Sequence, residues 1–536
     1  MSSGHVATAR GEQLAPARPA DSSSRAPGAS RLREILVYAV PAVLGGIVCS
    51  IGLTSRSLGF DEAASVTIAA QHGSALGAAL AHDGGNMSGY YLLLHALISV
   101  FGNGLLVVRL PSVLFAAATA GVVARLARTL FDRRVGLISG ILVAVSLPLV
   151  FWGQSARGYA PMVALTAASY LAFISLVRRR EQERLTLGPA IAYALATSLA
   201  VYASFVAVLV IPAQLLMLVH RRRALAPVLS ALGVCVLSWI PLFVLALSRG
   251  SGQLFWVPRP TLKVEKQVLE ALTGAGLEPS FHATATTLVL LALTSVTLLG
   301  VAITSVVGAR RGDTRWGDWL VLGWLAVPVA LAWLESLVGQ PVFIPRNVLM
   351  ASLPVAILLA LAVTDRRVPA LAGGALLVVV LALRATQVGA SYGVSPEDWK
   401  AATAYVLARS SNSDCAVFYP SDGRMAFRYY LSEPVPRGAP SPILPAVPWR
   451  RSPIYVENYA SLTEAQLRAL PRRCPRLWLI SSHEGQTDGP AGSRANYARY
   501  LSLRARLGGE YPEHVSVRFG YASPVQVELF KPGSGS

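Results

Sequence analysis

The sequence predicts an α-helical polytopic membrane protein with about eleven transmembrane helices and a small C-terminal α/β domain outside the membrane. Of the 536 residues, 53% are hydrophobic and only 14% are charged, whereas about a quarter of the residues in a soluble protein carry charge. Long apolar runs alternate with short arginine clusters over the first three-quarters of the chain, which is typical of repeated membrane-spanning helices. The net charge of +19 lies mostly in these clusters, as in cytoplasmic loops, so we do not expect a nucleic acid as a partner.

The N-terminal residues set the orientation in the plasma membrane. Residues 1–34 are rich in Ala, Ser, Pro and Arg, a composition that cannot bury a core, and we expect a disordered tail there. Arginines precede the first span, which we place at residues 35–54. Because positive loops are retained in the cytoplasm, we predict a cytoplasmic N-terminus and a first outer loop at residues 55–104.

One apolar segment of that outer loop is too short to cross the membrane. Tyr90–Phe101 spans about a dozen residues, at 1.5 Å of rise per residue. If this segment crossed, the next two arginine clusters would lie outside, against the charge rule. We therefore expect interfacial helices within residues 55–104.

The same charge rule places the remaining spans of a transmembrane part that covers residues 35–388. Arginine clusters alternate with apolar runs, and each run crosses so that its cluster lies inside. A long run between two clusters is predicted to cross twice. The spans are expected at residues 105–126, 135–152, 162–177, 187–220 (two spans), 228–247, 283–307, 319–334, 348–363 and 369–383.

Residues 389–536 have the sequence pattern of a water-soluble α/β domain and are predicted to be extracytoplasmic. Helices are expected at 397–409 and 463–470, and strands at 414–419, 476–480, 515–519 and 525–530. Cys415 and Cys474 each lie beside a strand-like run. They form a disulfide if the domain faces an oxidising compartment and stay free thiols otherwise, and the sequence leaves both alternatives open.

Acidic residues are rare, and two of them, Asp61 and Glu62, follow the first span directly. Desolvation at the membrane boundary would raise the pKa of such carboxyl groups and make them usable general bases. The simpler alternative is a pair that only caps a helix. His82 and Asp83 lie further along the same outer loop and complete the catalytic candidates.

Three arginines, Arg109, Arg157 and Arg346, lie on the predicted outer side, against the general charge bias. Arginine can grip a phosphate group through two parallel hydrogen bonds, so all three are candidate donor-phosphate ligands. The alternative is contact with lipid head groups. No residue spacing supports a metal site, so we predict neither metal nor cofactor, although participation of a divalent ion stays open.

Six motifs, taken in order, resemble those of the GT-C membrane glycosyltransferases, specifically the protein mannosyltransferase and aminoarabinose transferase group. The resemblance covers about residues 36–420. The motifs are Asp61-Glu62, His82-Asp83 through Tyr90-Tyr91-Leu-Leu-Leu-His95, Arg109-Leu-Pro-Ser, Gln154-Ser-Ala-Arg157-Gly-Tyr159-Ala, Pro345-Arg346-Asn-Val-Leu and Asp398-Trp399-Lys-Ala-Ala.

This resemblance implies an inverting hexosyl- or pentosyltransferase that uses a polyprenyl-phosphate sugar. Asp61 would be the general base, and Arg157 and Arg346 would contact the donor phosphate. The candidate substrate-binding residues are Tyr90, Tyr91 and Tyr159. Mannose or arabinose is the expected sugar. The expected acceptor is a hydroxyl of a cell-envelope glycan, lipid or protein, which would place the enzyme in cell wall biogenesis.

The chain departs from the group at two places. Many relatives have His-Pro-Pro ahead of the tyrosine pair, where this chain has Asn86-Met-Ser-Gly89. The aminoarabinose transferases place a second acidic residue in the short outer loop, where this chain has Ala160. The acceptor and the second catalytic group therefore stay open.

Two other classes of function are alternatives to the transferase. A transporter or lipid flippase would place its charges near the bilayer midplane and would show an internal repeat, but the candidate charges cluster at the outer edge. A structural or assembly protein with a partner-binding outer domain would leave the acidic pair and the outer arginines unexplained.

Overall fold

The computed structural model describes Met1 and residues 27–249, 254–277, 284–307, 313–451, 459 and 461–533. Its first part is a set of helices joined by short loops. In chain order they are α1 (Pro27–Ser50), α2 (Phe60–Ala69), α3 (Gly73–His82), α4 (Ser88–Phe101), α5 (Leu105–Leu130), α6 (Arg133–Ala144), α7 (Leu147–Gly153), α8 (Tyr159–Glu181), α9 (Leu187–Ala203), α10 (Ile211–Met217), α11 (Leu225–Ser238), α12 (Ile240–Arg249), α13 (Leu262–Thr273), α14 (Thr284–Val307), α15 (Asp313–Val338), α16 (Ser352–Thr364) and α17 (Ala370–Ser391). Short 3-10 helices lie at Phe205–Val210, Leu218–His220, Arg222–Ala224 and Pro345–Ala351.

The predicted class, an α-helical polytopic membrane protein, is confirmed. By length and composition, seven helices of the described residues are long and apolar enough to cross a membrane, and the number rises to nine if each of two bent pairs is one span. The predicted count of eleven also requires Leu187–Ala203 and Phe205–His220, which are apolar but shorter. That count stays a prediction.

Two predicted spans are bent pairs of helices. The span at residues 135–152 consists of α6 and α7, bent by 58°, and the span at 228–247 consists of α11 and α12, bent by 48°. In both pairs the second helix has proline at its second residue, Pro148 or Pro241. Proline lacks an N–H group and clashes with the preceding turn, so a helix ends ahead of it and a new one begins.

Three helices, α4, α1 and α13, bear on the predictions for the first outer loop, the N-terminal tail and the transmembrane part. Helix α4 has 14 residues, about 21 Å of helix, too short to cross a hydrocarbon core of roughly 30 Å. Helix α1 begins at Pro27, so residues 27–34, predicted as part of the disordered tail, are helical. The rest of that tail, residues 2–26, lies outside the described residues. Helix α13 was not predicted at all.

The C-terminal domain, called the outer domain after its predicted location, is a five-stranded sheet flanked by helices. Its elements are α18 (Trp399–Leu407), β1 (Cys415–Tyr419), α19 (Gly423–Tyr429), β2 (Ser441–Leu444), α20 (Glu464–Arg473), β3 (Leu477–Ser481), α21 (Ala491–Glu510), β4 (Glu513–Phe519) and β5 (Val525–Lys531). The strand order is β2-β1-β3-β5-β4. Strands β2, β1 and β3 are parallel, while β5 is antiparallel to both β3 and β4.

The domain's predicted strands and its two predicted helices are present, and the alternatives left open for its cysteines are decided. Cys415, at the start of β1, and Cys474, just after α20, form a disulfide with a Cα–Cα distance of 5.5 Å. Helices α19 and α21 and strand β2 were missed. Helix α21 mixes Arg, Ser and Gly with few apolar residues, so its sequence carries only a weak helical pattern.

The outer domain packs against the first outer loop. Helix α19 contacts α2, and Leu58 donates its N–H to the hydroxyl of Tyr430 at 2.6 Å. Tyr429 donates its hydroxyl to the carbonyl of Asn103 at 2.8 Å. These contacts place the outer domain directly over the helix that carries Asp61.

Candidate active site

Asp61 and Glu62 both lie in the first turn of α2, after the N-cap residue Gly59. Acidic side chains there are favoured by the positive end of the helix dipole. The two neighbours have different surroundings, because Glu62 is buried whereas 40% of the Asp61 side chain is exposed.

Glu62 forms a closed ion pair with Arg109 of α5. Its Oε1 accepts hydrogen bonds from Nε of Arg109 at 2.9 Å and from the N–H of Ala156 at 2.8 Å. Its Oε2 accepts from Nη2 of Arg109 at 2.8 Å and from the N–H of Gly59 at 3.2 Å. Each oxygen therefore has two donors, and the carboxylate has no free position for a proton from a substrate.

Arg109 is equally saturated. Its Nη1 donates to the carbonyls of Leu53 and Arg56 at 2.8 and 2.9 Å, and its Nη2 also donates to the carbonyl of Ser57 at 3.0 Å. A guanidinium group has five N–H donors, and here all of them are used within the protein. The predicted roles of Arg109 as a phosphate ligand and of Glu62 as a catalytic residue do not fit this geometry. The pair instead fixes the chain after the first span to α5.

Asp61 faces the other two predicted arginines. Nη1 of Arg346 donates to Oδ2 of Asp61 at 3.2 Å, and Nη2 of Arg157 lies 3.7 Å from the same oxygen. Oδ1 of Asp61 has no hydrogen-bond partner among the residues that the structure describes. The three residues, distant in sequence, are therefore brought together, with one carboxylate oxygen left open.

Arg157 is held by the loop between α7 and α8. Its Nη1 donates to the carbonyl of Asp61 at 3.2 Å and to Oγ of Ser65 at 3.3 Å. Its Nε is buried and, within the described part of the chain, makes no hydrogen bond. Gln154 ties the same loop to the end of the first span by donating to the carbonyls of Cys49 and Ile51.

Arg346 lies in the first turn of the 3-10 helix Pro345–Ala351. Its guanidinium lies 4.7 Å from the ring centroid of Trp256 and 5.9 Å from that of Tyr159, and the guanidinium of Arg157 is also 5.9 Å from Tyr159. Tyr159 thus lies between the two arginines. The Asp61 bond is the only hydrogen bond of Arg346 to the described residues, so both arginines retain donors for an anion.

The predicted rise in the pKa of Asp61 is wrong. Burial by itself would raise it, but the positive charges of Arg157, Arg346 and His483 outweigh that effect and lower the pKa to about 2. Desolvation was the only effect visible in the sequence, because the arginines that surround Asp61 lie far away in the sequence. The carboxylate is therefore ionised throughout the physiological pH range.

The remaining candidates form a second group next to this centre. Tyr90 is buried and its hydroxyl lies 3.0 Å from Oγ of Ser112, which ties α4 to α5. Tyr91 and Asp83 interact electrostatically with each other and with Arg157. His82 ends α3, where burial and the charge of Arg249 lower its pKa. Tyr91 and Asp83 therefore adjoin the Asp61 site, whereas Tyr90 is committed to packing.

Three site residues were missed by sequence reasoning: Trp256, Glu397 and His483. Trp256 covers Arg346, and Glu397 accepts the N–H of Phe60, the residue before Asp61, at 2.7 Å. Glu397 adjoins a quoted motif, Asp398-Trp399, which gave a signal for it. His483 lies in the outer domain without any motif around it.

The described residues contain no group of three or more His, Cys, Asp or Glu side chains that could hold a metal ion. The arrangement that they do contain is one open carboxylate oxygen beside two guanidinium groups with unused donors. Such a site can accept a proton from a hydroxyl and can bind a phosphate at the same time.

Comparison with known protein families finds a match over part of the chain. Residues 88–246, less than a third of the chain, match a family model described as dolichyl-phosphate-mannose-protein mannosyltransferase. No curated protein sequence matches the chain at a significant level.

Two solved structures have the same fold over most of the chain. ArnT from Cupriavidus metallidurans bound to undecaprenyl phosphate has a TM-score of 0.52 at 13% identity, covering 94% of this chain and 98% of ArnT. The archaeal oligosaccharyltransferase AglB from Archaeoglobus fulgidus, in complex with an inhibitory peptide and a dolichol-phosphate, has a TM-score of 0.53 at 12% identity. That match covers 85% of this chain and 70% of AglB. The GT-C fold predicted from the motifs is confirmed, as is the resemblance to the mannosyltransferase and ArnT group.

Proposed function

We propose that this protein, a membrane protein of the GT-C fold, is a glycosyltransferase that moves a sugar from a polyprenyl-phosphate donor to a hydroxyl group, with inversion at the sugar. The observation that carries the proposal is Asp61, half-exposed and paired through one oxygen with Arg157 and Arg346. Asp61 is the general base, and the two arginines bind the donor phosphate.

The proposed reaction is a single displacement. The acceptor oxygen forms a bond to the anomeric carbon, and the bond from that carbon to the phosphate oxygen breaks with its electron pair on the phosphate. The acceptor proton moves to the open Oδ1 of Asp61. The arginines stabilise the negative charge that develops on the departing phosphate, which is the main electrostatic contribution expected of such a site.

The charges of the site balance in both states. Before transfer, the two arginines face the Asp61 carboxylate and the single negative charge of a phosphodiester. After transfer, Asp61 is protonated and neutral, and the two arginines face a phosphate monoester with two negative charges. The arginines therefore exchange one partner for another without leaving a charge unpaired.

An apolar cleft near Arg346 suits the lipid part of the donor. It has a volume of about 310 Å³ and lies between α13 and α15, where Leu272, Val329, Trp333 and Phe343 line it. Phe343 is three residues ahead of Arg346 in the sequence. We propose that the first isoprene units of the polyprenyl chain lie in this cleft, which is consistent with the lipid phosphates named in the ArnT and AglB complexes.

The outer face of the plasma membrane is the proposed location of the site. The Cys415–Cys474 disulfide favours an oxidising compartment for the outer domain, and the charge rule leaves the N-terminus in the cytoplasm. The acceptor would then be a cell-envelope glycan, lipid or protein. The description of the matching family model makes mannose the first sugar to test, followed by arabinose. The comparisons give the transporter alternative no support.

The test is transfer from radiolabelled polyprenyl-phosphate mannose, arabinose or glucose by the purified protein in detergent. Wild type is expected to release label from one donor and move it to an acceptor, whereas Asp61→Asn is expected to fold and lose transfer. Asp488→Asn, at an exposed aspartate of the outer domain, is the matched control and should stay active. Full activity of Asp61→Asn, or no transfer from any donor by folded wild type, would contradict the proposal.

A further inference from the structure

His483 of the outer domain reaches the Asp61 site. It follows β3 and has a backbone φ of +58°, in the left-handed region that few residues with a Cβ adopt. Its ring packs against that of Phe60, the residue before Asp61, with a centroid distance of 4.9 Å. An uncommon backbone conformation at such a place points to a role for the side chain.

Glu397 holds the imidazole ring of His483 in place. Nε2 of His483 lies 2.8 Å from Oε1 of Glu397, whose Oε2 accepts the N–H of Phe60 at 2.7 Å and Nε1–H of Trp399 at 3.0 Å. Because a carboxylate only accepts, Nε2 carries the hydrogen. Among the described residues Nδ1 has no partner, and 39% of the side chain is exposed.

The charged groups that act most strongly on His483 are three carboxylates. They are Glu397 from the segment ahead of α18, Asp61 from α2, and Glu484 from its own loop. Burial alone would lower the pKa of His483, but these three charges, Glu397 first, raise it to about 9. The imidazole is therefore a cation below that pH, with both nitrogens protonated, and is neutral above it.

We propose that His483 is a third cationic ligand of the donor phosphate, contributed by the outer domain, whose Nδ1–H donates to a phosphate oxygen while Glu397 holds Nε2. The proposal rests on the proposed function. Asp61 is surrounded by three partly exposed cations, with 12% of Arg157, 24% of Arg346 and 39% of His483 exposed. The sealed Arg109 has no exposure.

This role gives the outer domain a part in the chemistry. The departing phosphate gains one negative charge, and a third donor at the site would strengthen its binding most in the product state. The pair with Glu397 is the arrangement in which a carboxylate fixes the tautomer and orientation of a histidine so that the other nitrogen can act. A purely structural pair would leave Nδ1 without a role.

The test is the binding of radiolabelled undecaprenyl phosphate by the immobilised full-length protein in detergent, at pH 7.5 and pH 10.5. Wild type is expected to bind about tenfold more weakly at the higher pH, the size of one hydrogen bond to a charged group. His483→Asn is expected to bind about tenfold more weakly at pH 7.5, with no further loss at pH 10.5. Asparagine is chosen because it tolerates the left-handed backbone. His514→Asn, on strand β4, should behave like wild type.

A second variant separates this role from a structural one. Glu397→Gln removes the main charge that stabilises the imidazolium, so the pH at which affinity falls is expected to move down from about 9 toward the ordinary pKa of histidine, about 6.5. Wild-type affinity and pH dependence in His483→Asn, or an unmoved midpoint in Glu397→Gln, would overturn the proposal. Absence of lipid binding by wild type, or binding indifferent to Arg346→Ala, would instead overturn the proposed function.

Discussion

Glu62→Gln is expected to destabilise the protein, whereas Asp61→Asn, the equivalent change at the adjacent residue, is expected to leave it folded and inactive. In Glu62→Gln one carboxylate oxygen becomes an NH₂ group. Whichever oxygen is replaced, the new NH₂ faces one N–H of Arg109 and one backbone N–H, from Ala156 or from Gly59. Two hydrogen bonds are lost, donors face donors, and Arg109 stays buried with its charge uncompensated.

The magnitude follows from this geometry. Breaking a buried ion pair by removing one partner costs about 3–5 kcal/mol, and Arg109 is fully buried. The carboxylate of Asp61 accepts one hydrogen bond from a side chain, that of the partly exposed Arg346. In addition, 40% of the Asp61 side chain is exposed. Removing the Asp61 charge should therefore change the stability little, since exposed pairs contribute at most about 1 kcal/mol.

The assay is thermal unfolding of both purified variants in the same detergent, followed by intrinsic fluorescence, with sugar transfer measured alongside. Glu62→Gln should unfold at a clearly lower temperature than wild type, and Asp61→Asn close to wild type. Equal stability of the two variants would refute the division of labour between the carboxylates. A stable but inactive Glu62→Gln would return Glu62 to the chemistry.

Three further predictions concern the arginines, the pH dependence and the disulfide. Arg346→Ala should raise the KM for the donor about 10- to 100-fold, the range of a hydrogen bond between charged groups, and an unchanged KM would remove Arg346 from the phosphate site. Transfer should be lost as pH falls through the pKa of Asp61. Because a bound donor phosphate raises that pKa, the acid limb of kcat should lie at a higher pH than the acid limb of kcat/KM for the donor. Acid limbs at the same pH in the two profiles would contradict the exchange of arginine partners between Asp61 and the phosphate. Replacing Cys415 and Cys474 by serine should destabilise the outer domain by about 4 kcal/mol for a separation of 59 residues, and limited proteolysis with and without reductant would show whether it does.

The membrane helices could be predicted because their signals are local. An apolar run of sufficient length forms a helix where lipid surrounds it, and the arginine clusters indicate the cytoplasmic end of each membrane span. The expectation that α4 does not cross the membrane followed from its length together with the charge rule. The bends at α7 and α12 also have a local signal, since Pro148 and Pro241 are visible in the sequence, each inside a longer apolar run.

The division between Asp61 and Glu62 could not be predicted, because it depends on residues far away in the chain. Glu62 is closed off by Arg109, 47 residues later, and Asp61 is paired with Arg346, 285 residues later. Two carboxylates that are neighbours in sequence point to different sides of one helical turn. Only the packing of α5 and of the 3-10 helix at Pro345–Ala351 decides which of them meets which arginine.

The packing of the outer domain against the Asp61 site could not be predicted either, because it also depends on residues far apart in the chain. Its strands and the candidate disulfide partners Cys415 and Cys474 were visible as local patterns. A lone histidine in a polar loop, by contrast, is most often only solvated. His483 becomes informative once the fold brings it onto Phe60 and Glu397. Ring packing on Phe60, charge and an unused nitrogen then coincide at one residue, which no local pattern could show.

The low pKa of Asp61 in the free protein is compatible with its proposed role as a base, because in the proposed site the same arginines serve the carboxylate and the phosphate. Without a donor, Arg157 and Arg346 are directed at Asp61 and hold its pKa at about 2. A bound phosphate competes for their donors and adds a negative charge nearby, and both effects raise the pKa of Asp61. The base thus becomes strong only when the sugar donor occupies the site. Deprotonation of the acceptor is thereby coupled to the presence of the sugar that it will attack.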